Sequence, residues 1–193
     1  LRAARGWRPG APHTLAWVAA DGRVVVRDVD SGGLVWRSAA PVGLAARELS
    51  WSADGRLLLM RGAGSLRLAD VPRDRVSGVR LPAGERAVAA AWAPRGRRLA
   101  VVARDPEREL SRVLVAPASP RLPDRPVFAT TGRLGAPAWS PDGTRVLVRW
   151  PEADEWLLLP VAGRRGANAR VVAIAPVARR FGGAPVVRGW CCS

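Results

Sequence analysis

A chain of 193 residues that is 48% apolar and 24% charged has globular composition, which excludes a disordered tract and permits one ordinary domain. Its 31 basic residues, every one an arginine, outnumber 16 acidic ones and leave a formal charge of +15, so acidic surfaces and polyanions attract the chain and basic ones repel it. No stretch approaches the ~20 consecutive apolar residues of a helical membrane span.

Taken in order, residues 1–46 form a first unit of four strands. Trp7 ends the first, Leu15 to Ala19 is the second, and Asp21-Gly22 is a tight hairpin turn into Arg23 to Val29. Asp30 to Gly33 turns the chain again into Leu34-Val35-Trp36. Residues 47–86 repeat that order: a strand to Trp51, a turn at Asp54-Gly55, Leu57 to Met60, a turn at Gly62-Ala63-Gly64, Ser65 to Ala69, and a last strand over Val76 to Leu81.

Residues 87–133 give Val88 to Trp92, Leu99 to Ala103, Arg112 to Ala116 and Val127-Phe128-Ala129, with the charged connection Asp105-Pro106-Glu107-Arg108-Glu109 between the second and third. Residues 134–183 give Ala138-Trp139, Val146 to Val148, Trp156 to Leu159 and Arg170 to Ile174, the last two divided by the polar loop Gly163 to Asn168. Val177 to Pro185 connects onward. Residues 184–193 open one more first strand, Val186-Val187-Arg188-Gly189-Trp190. Nothing in the first unit has helical period.

One phrase organises these units. Ser140-Pro141-Asp142-Gly143 has the residues of a four-residue turn, with proline presetting its second position and glycine tolerating the strained fourth. Worn copies stand at Trp51-Ser52-Ala53-Asp54-Gly55, Trp92-Ala93-Pro94-Arg95-Gly96 and Trp7-Arg8-Pro9-Gly10. The in-phase tryptophans 7, 51, 92, 139 and 190 are separated by 44, 41, 47 and 51 residues. Four short strands per unit at that period predict an all-β fold of β-propeller blades, about four of them, each a four-stranded antiparallel sheet.

Trp139-Ser140-Pro141-Asp142-Gly143, its copies and the Leu-Ala-Val-Val type strands after them resemble the WD40-like (PD40) repeat of TolB-like propellers, which also occurs in the propellers of prolyl-oligopeptidase-type enzymes. The resemblance spans the chain. It implies an extracytoplasmic or periplasmic, envelope-associated setting, any membrane tether lying in an upstream segment. Arg95 replaces the turn aspartate of the third copy, the first copy lacks the Asp-Gly turn, and there is no room for a catalytic domain, which argues against the peptidase branch. Since Arg5-Gly6-Trp7 and Arg188-Gly189-Trp190 both read as a first strand, residues 1–193 are expected to be one partial propeller. That would be a fragment forming an open arc of a six- to eight-bladed ring, with exposed sheet faces at its ends.

The in-phase tryptophans recur where blade packing needs them, which favours core over ligand platform. The out-of-phase Trp36, Trp150 and Trp156 are freer to reach a surface, and Trp150 is the candidate contact among them. His13 stands alone in a turn with no Gly-x-Ser-x-Gly and no second histidine, and the acidic pairs Asp28/Asp30 and Glu152/Asp154-Glu155 lack the pattern of a calcium loop. No catalytic residue, metal or cofactor is expected, and the chain is not expected to be an enzyme or to take a small-molecule substrate. Adjacent Cys191-Cys192 suit free thiols or an intermolecular bridge.

The expected function is a protein-interaction scaffold. Loops ahead of the first strands (Arg47, Arg86, Arg133, Arg188) and between second and third strands (Arg61, Arg104, Arg108) gather at one face, which is expected to bind an acidic protein. The alternatives are an accessory propeller of a peptidase or carbohydrate-active enzyme, or a nucleic-acid or polyanion module. The scattering of the arginines disfavours the latter.

Overall fold

The computed structural model describes residues 4–161, 170–183 and 185. These form four antiparallel sheets of four strands, each a meander in chain order. The first holds β1 (Arg5–Trp7), β2 (Thr14–Val18), β3 (Val24–Asp28) and β4 (Leu34–Arg37); the second β5 (Glu48–Trp51), β6 (Leu57–Arg61), β7 (Leu66–Asp70) and β8 (Arg75–Val79). The third holds β9 (Arg86–Trp92), β10 (Arg98–Asp105), β11 (Leu110–Pro117) and β12 (Phe128–Thr131); the fourth β13 (Ala138–Trp139), β14 (Arg145–Trp150), β15 (Glu155–Pro160) and β16 (Val172–Ile174). The four-bladed reading of the sequence is borne out.

Turn chemistry sets these hairpins. At 140–143 the Gly143 N–H donates to Ser140 O at 2.9 Å, with Gly143 at φ +69. The Ser140 hydroxyl donates to Asp142 at 2.6 Å and accepts the Arg145 N–H at 2.9 Å. Ser52 does the same, donating to Asp54 at 2.6 Å and accepting the Leu57 N–H at 3.0 Å. The copy with Arg95 has neither group and keeps only the backbone of the turn: Gly96 at φ +69 and the Ala93 N–H on Arg98 O at 2.9 Å.

The chain divides into two compact units, Leu1–Arg80 with Ala118–Arg121, and Leu81–Pro117 with Leu122–Ser193. In the first unit β1 lies beside β5. Alternation along the strands puts Ala16, Val24 and Val26 of one sheet against Leu49, Trp51, Leu58, Met60 and Ala69 of the next. The second unit repeats this with β9 beside β13, where Ala100, Val102 and Val113 meet Trp139, Val146, Val148, Leu157 and Leu159.

A recurring bond joins the sheets within each unit. Trp51 Nε1–H donates to Gly6 O at 3.0 Å and Trp139 Nε1–H to Ala91 O at 3.1 Å. Each acceptor is the residue just before the preceding sheet's own in-phase tryptophan. Arginines of the preceding sheet's first hairpin cover the same rings, Arg8 at 5.4 Å from the Trp51 centroid and Arg98 at 5.3 Å from that of Trp139. Trp51 and Trp139 thus each give a buried apolar body and satisfy their one donor across the sheet interface within their unit.

One connection is defined further and two expectations are corrected. The connection after β16 contains a short helix, α1 (Val177–Phe181), which ends at Gly182 in the left-handed region at φ +67. Trp36, Trp150 and Trp156 are half-buried rather than surface groups. Trp36 donates to Asp74 at 2.8 Å, Trp150 packs edge-on to Phe128 at 6.4 Å, and Trp156 lies 4.9 Å from Phe181. Trp7 is 59% exposed where core packing was expected, against 6% and 8% for Trp51 and Trp139, because among the described residues of its unit no sheet precedes β1. Trp190, Cys191, Cys192 and the loop from Gly163 to Asn168 lie outside the described residues.

Candidate functional site

In each sheet the hairpin between second and third strands lies at the end where the first strand begins, and the predicted arginines of the described residues stand there. In the first unit the Arg47 N–H donates to Arg61 O at 2.8 Å, closing the top of the β5–β6 pair. The Arg61 guanidinium is taken by Glu48 at 2.9 Å, while the exposed Arg47 side chain meets no ion-pair or hydrogen-bond partner among the described residues.

The second unit carries the denser group. Three connections meet: the Gly132 N–H donates to Glu109 O at 2.9 Å, and the Arg133 N–H to Glu152 Oε1 at 3.0 Å. The side chains of Arg86 and Arg133 are exposed. Arg86 and Arg104 stand directly opposite each other in the β9–β10 ladder, so two like charges share one cross-strand pair. Such a pair destabilises a sheet unless an anion offsets it. A register shift between Val102 and Ala103 brings them level; without it Arg104 would face a different residue. Among the described residues, Arg86, Arg104 and Arg133 have no carboxylate within ion-pair reach.

The other charges at this end are committed. Arg108 pairs with Asp105, whose carboxyl is 5% exposed and also accepts the N–H groups of Glu107 at 3.0 Å and Arg108 at 3.2 Å. The Arg108 guanidinium, first, and these backbone donors hold the Asp105 carboxyl below the usual range. Glu85 is 2% exposed and meets Arg112 at 3.0 Å. Burial pushes its carboxyl up, Arg112 opposes that, and Asp105 and Asp124 add to it. Its Oε2 and the Arg112 Nε are buried with no hydrogen-bond partner.

The structure therefore brings Arg86, Arg104 and Arg133 to one end of the second unit and places Arg47 at the corresponding position of the first. Arg61 and Arg108 are held by neighbouring carboxylates, and Trp150 lies in the sheet interface with its indole N–H buried. Arg188 lies outside the described residues. Glu85 and Arg112 were not singled out from sequence, where each reads as one more surface charge. His13 meets Asp30 at 2.6 Å on the surface, and no group of three metal-ligating side chains stands among the described residues. There is also no helix among them long and apolar enough to cross a membrane.

Four meandering four-stranded sheets, joined in pairs within each unit by Trp51 and Trp139, define a β-propeller fold. No family model and no curated protein sequence matches the chain. Among solved structures it is similar to the Cps50 (Swd1) β-propeller domain of Myceliophteria thermophila, with a TM-score of 0.58 and 10% identity over 88% of this chain and 56% of that one. It is also similar to the hydrazine synthase of Kuenenia stuttgartiensis, with a TM-score of 0.57 and 16% identity over 82% of this chain and 46% of that one. The chain thus spans about half the length of these structures, and at such identities the likeness concerns fold alone.

Proposed function

We propose that this chain is a non-enzymatic, TolB-like propeller segment that serves as a protein-interaction scaffold in an envelope setting and takes an acidic partner on its arginine-bearing end. The supporting observation is the Arg86–Arg104 pair: two arginines level across a ladder, with Arg133 at the same end and no ion-paired carboxylate on any of the three among the described residues. A partner's carboxylates relieve that repulsion, and guanidiniums suit them through bidentate bonding. The family and compartment are supported by the Trp-Ser-Pro-Asp-Gly repeat.

The test is fluorescence anisotropy with a labelled polyglutamate peptide. R86E/R104E/R133E should weaken binding at least about tenfold, since juxtaposed like charges oppose association by several kcal/mol. R56E/R95E/R145E, at the opposite ends of the sheets and with the same change in net charge, should weaken it far less. Equal losses in the two variants would reduce the effect to overall charge and end the reading. Heparin binding that responds to both variants alike, with a steep salt slope, would point instead to a general polyanion module.

A further inference from the structure

The outer edge of β8 is closed at one end and open along the rest. β8 is the last strand of its sheet, so among the described residues no strand lies on its far side. Just past it, the segment Ala118–Arg121 of the same unit comes alongside. Arg121 forms a parallel bridge with Arg80, and the Arg80 N–H donates to Pro120 O at 2.8 Å. Backbone groups alternate in direction along a strand, so the N–H and C=O of Gly78 and Val76 turn to the side that Arg80 uses. Such a row is a template for an added strand. A cleft of about 470 Å³ opens beside it, lined by Gly78, Val79, Arg80, Pro120 and Arg121, a volume in the range of ligand sites. A Cβ on Gly78 would meet nothing within 4 Å, so that face of the strand is clear.

We propose that this edge binds the free C-terminus of a partner protein as an added strand parallel to β8. Two constraints select that occupant. Pro120 already takes the Arg80 N–H, so a peptide paired along Val76 and Gly78 stops at that point. Its end then lies in a cleft flanked by two exposed arginines, Arg80 and Arg121, level across their bridge. A terminal carboxylate is attracted there and a terminal ammonium is repelled. The charge therefore sets the strand direction, C-terminus toward Arg80, which is the direction of the chain's own bridge. Arg80 is the anchor, since its side chain meets no ion-pair partner among the described residues. Main-chain bonds to Gly78 and Val76 hold the residues before the terminus, and the guanidiniums make the carboxylate the point of recognition. The groove uses none of Arg86, Arg104 and Arg133, so it does not rest on the acidic-partner reading.

The experiment probes an array of random-sequence hexapeptides with the labelled 193-residue chain, each peptide made once with a free C-terminal carboxylate and once as the carboxamide. The strongest binders are then titrated by fluorescence anisotropy. The carboxamides should bind at least about tenfold more weakly, the worth of a hydrogen-bonded charge. R80E should cause a loss of similar size, and R86E/R104E/R133E should leave binding unchanged. G78P deletes one outward N–H at an edge position, where a sheet tolerates proline, and should also weaken binding, whereas G78A keeps the N–H and should retain it. If G78P fails to fold, R80E and the carboxamides still decide, because Arg80 is exposed and the peptides leave the protein untouched. Equal capture of both peptide forms, or no capture of either, would overturn the proposal. So would unchanged binding by R80E, or a loss in R86E/R104E/R133E as large as that in R80E, which would move the site to the other arginines.

Discussion

Ser140 shows how one hydroxyl can fix a turn and a titration together. It is 6% exposed, and its Oγ holds the Arg145 N–H while donating to Asp142. That donated bond, with the Thr144 N–H and hydroxyl, draws the Asp142 carboxyl from 3.8 down to about 2. A carboxyl depressed on folding adds stability above its unfolded value, and the contribution disappears as pH falls from about 4 through about 2. S140A should destabilise the fold by about 1 kcal/mol, the ordinary worth of a buried hydrogen bond. It should also move Asp142 upward toward 3.8 and flatten the stability profile over that acid range. Carboxyl titration by NMR beside urea melts at several pH values checks both, and an unmoved Asp142 would mean that Thr144 alone sets it. The Ser-x-Asp-Gly chemistry was legible from sequence because it lies within six residues. The indole bond of Trp51 to Gly6 was not, because it spans 45 residues and depends on how two sheets abut.

At the scale of the element, the third sheet holds a buried carboxylate against a half-buried guanidinium. Glu85 sits on the connection into β9 and Arg112 on β11, so the pair ties an entering loop to the middle of the blade. Removing the cation leaves Glu85 buried and uncompensated, which costs roughly 3 kcal/mol at neutral pH. R112M should therefore lower stability by about that amount at pH 7 and by much less in acid. The sign follows from burial, the largest influence on Glu85, which raises its carboxyl above 4.5. A group raised on folding favours the fold when protonated, and this benefit is lost as pH rises through the folded value. A loss of equal size at pH 4 and pH 7, by chemical denaturation, would show that Arg112 acts through packing alone. Elements of this kind mark where the sequence stops being informative. The strands were readable from their alternation and turn residues, but the bulge between Val102 and Ala103 was not, and with it went the pairing of Arg86 with Arg104. Five residues of α1 are likewise too few to display a helical period.

For the whole molecule the charge of +15 and the exposed Trp7 and Leu34, which share one cross-strand row of the first sheet, act in opposite directions. Repulsion between like-charged copies keeps them apart at low ionic strength, where screening extends over about 30 Å at 0.01 M. Near 1 M salt the range contracts to about 3 Å, the repulsion is lost, and apolar attraction is undiminished or strengthened. Light scattering by the 193-residue chain should therefore rise with salt, as open-ended association without a fixed stoichiometry. Attachment to a polyanion must do the reverse and dissolve as salt is added. The two behaviours separate the contributions of charge and of that row in one instrument. L34T, which removes apolar surface from the row without altering charge, should reduce the salt-induced rise, whereas R86E/R104E/R133E should increase scattering already at low salt by lowering net repulsion. If L34T left the rise untouched, the attraction would have to reside on another surface of the protein.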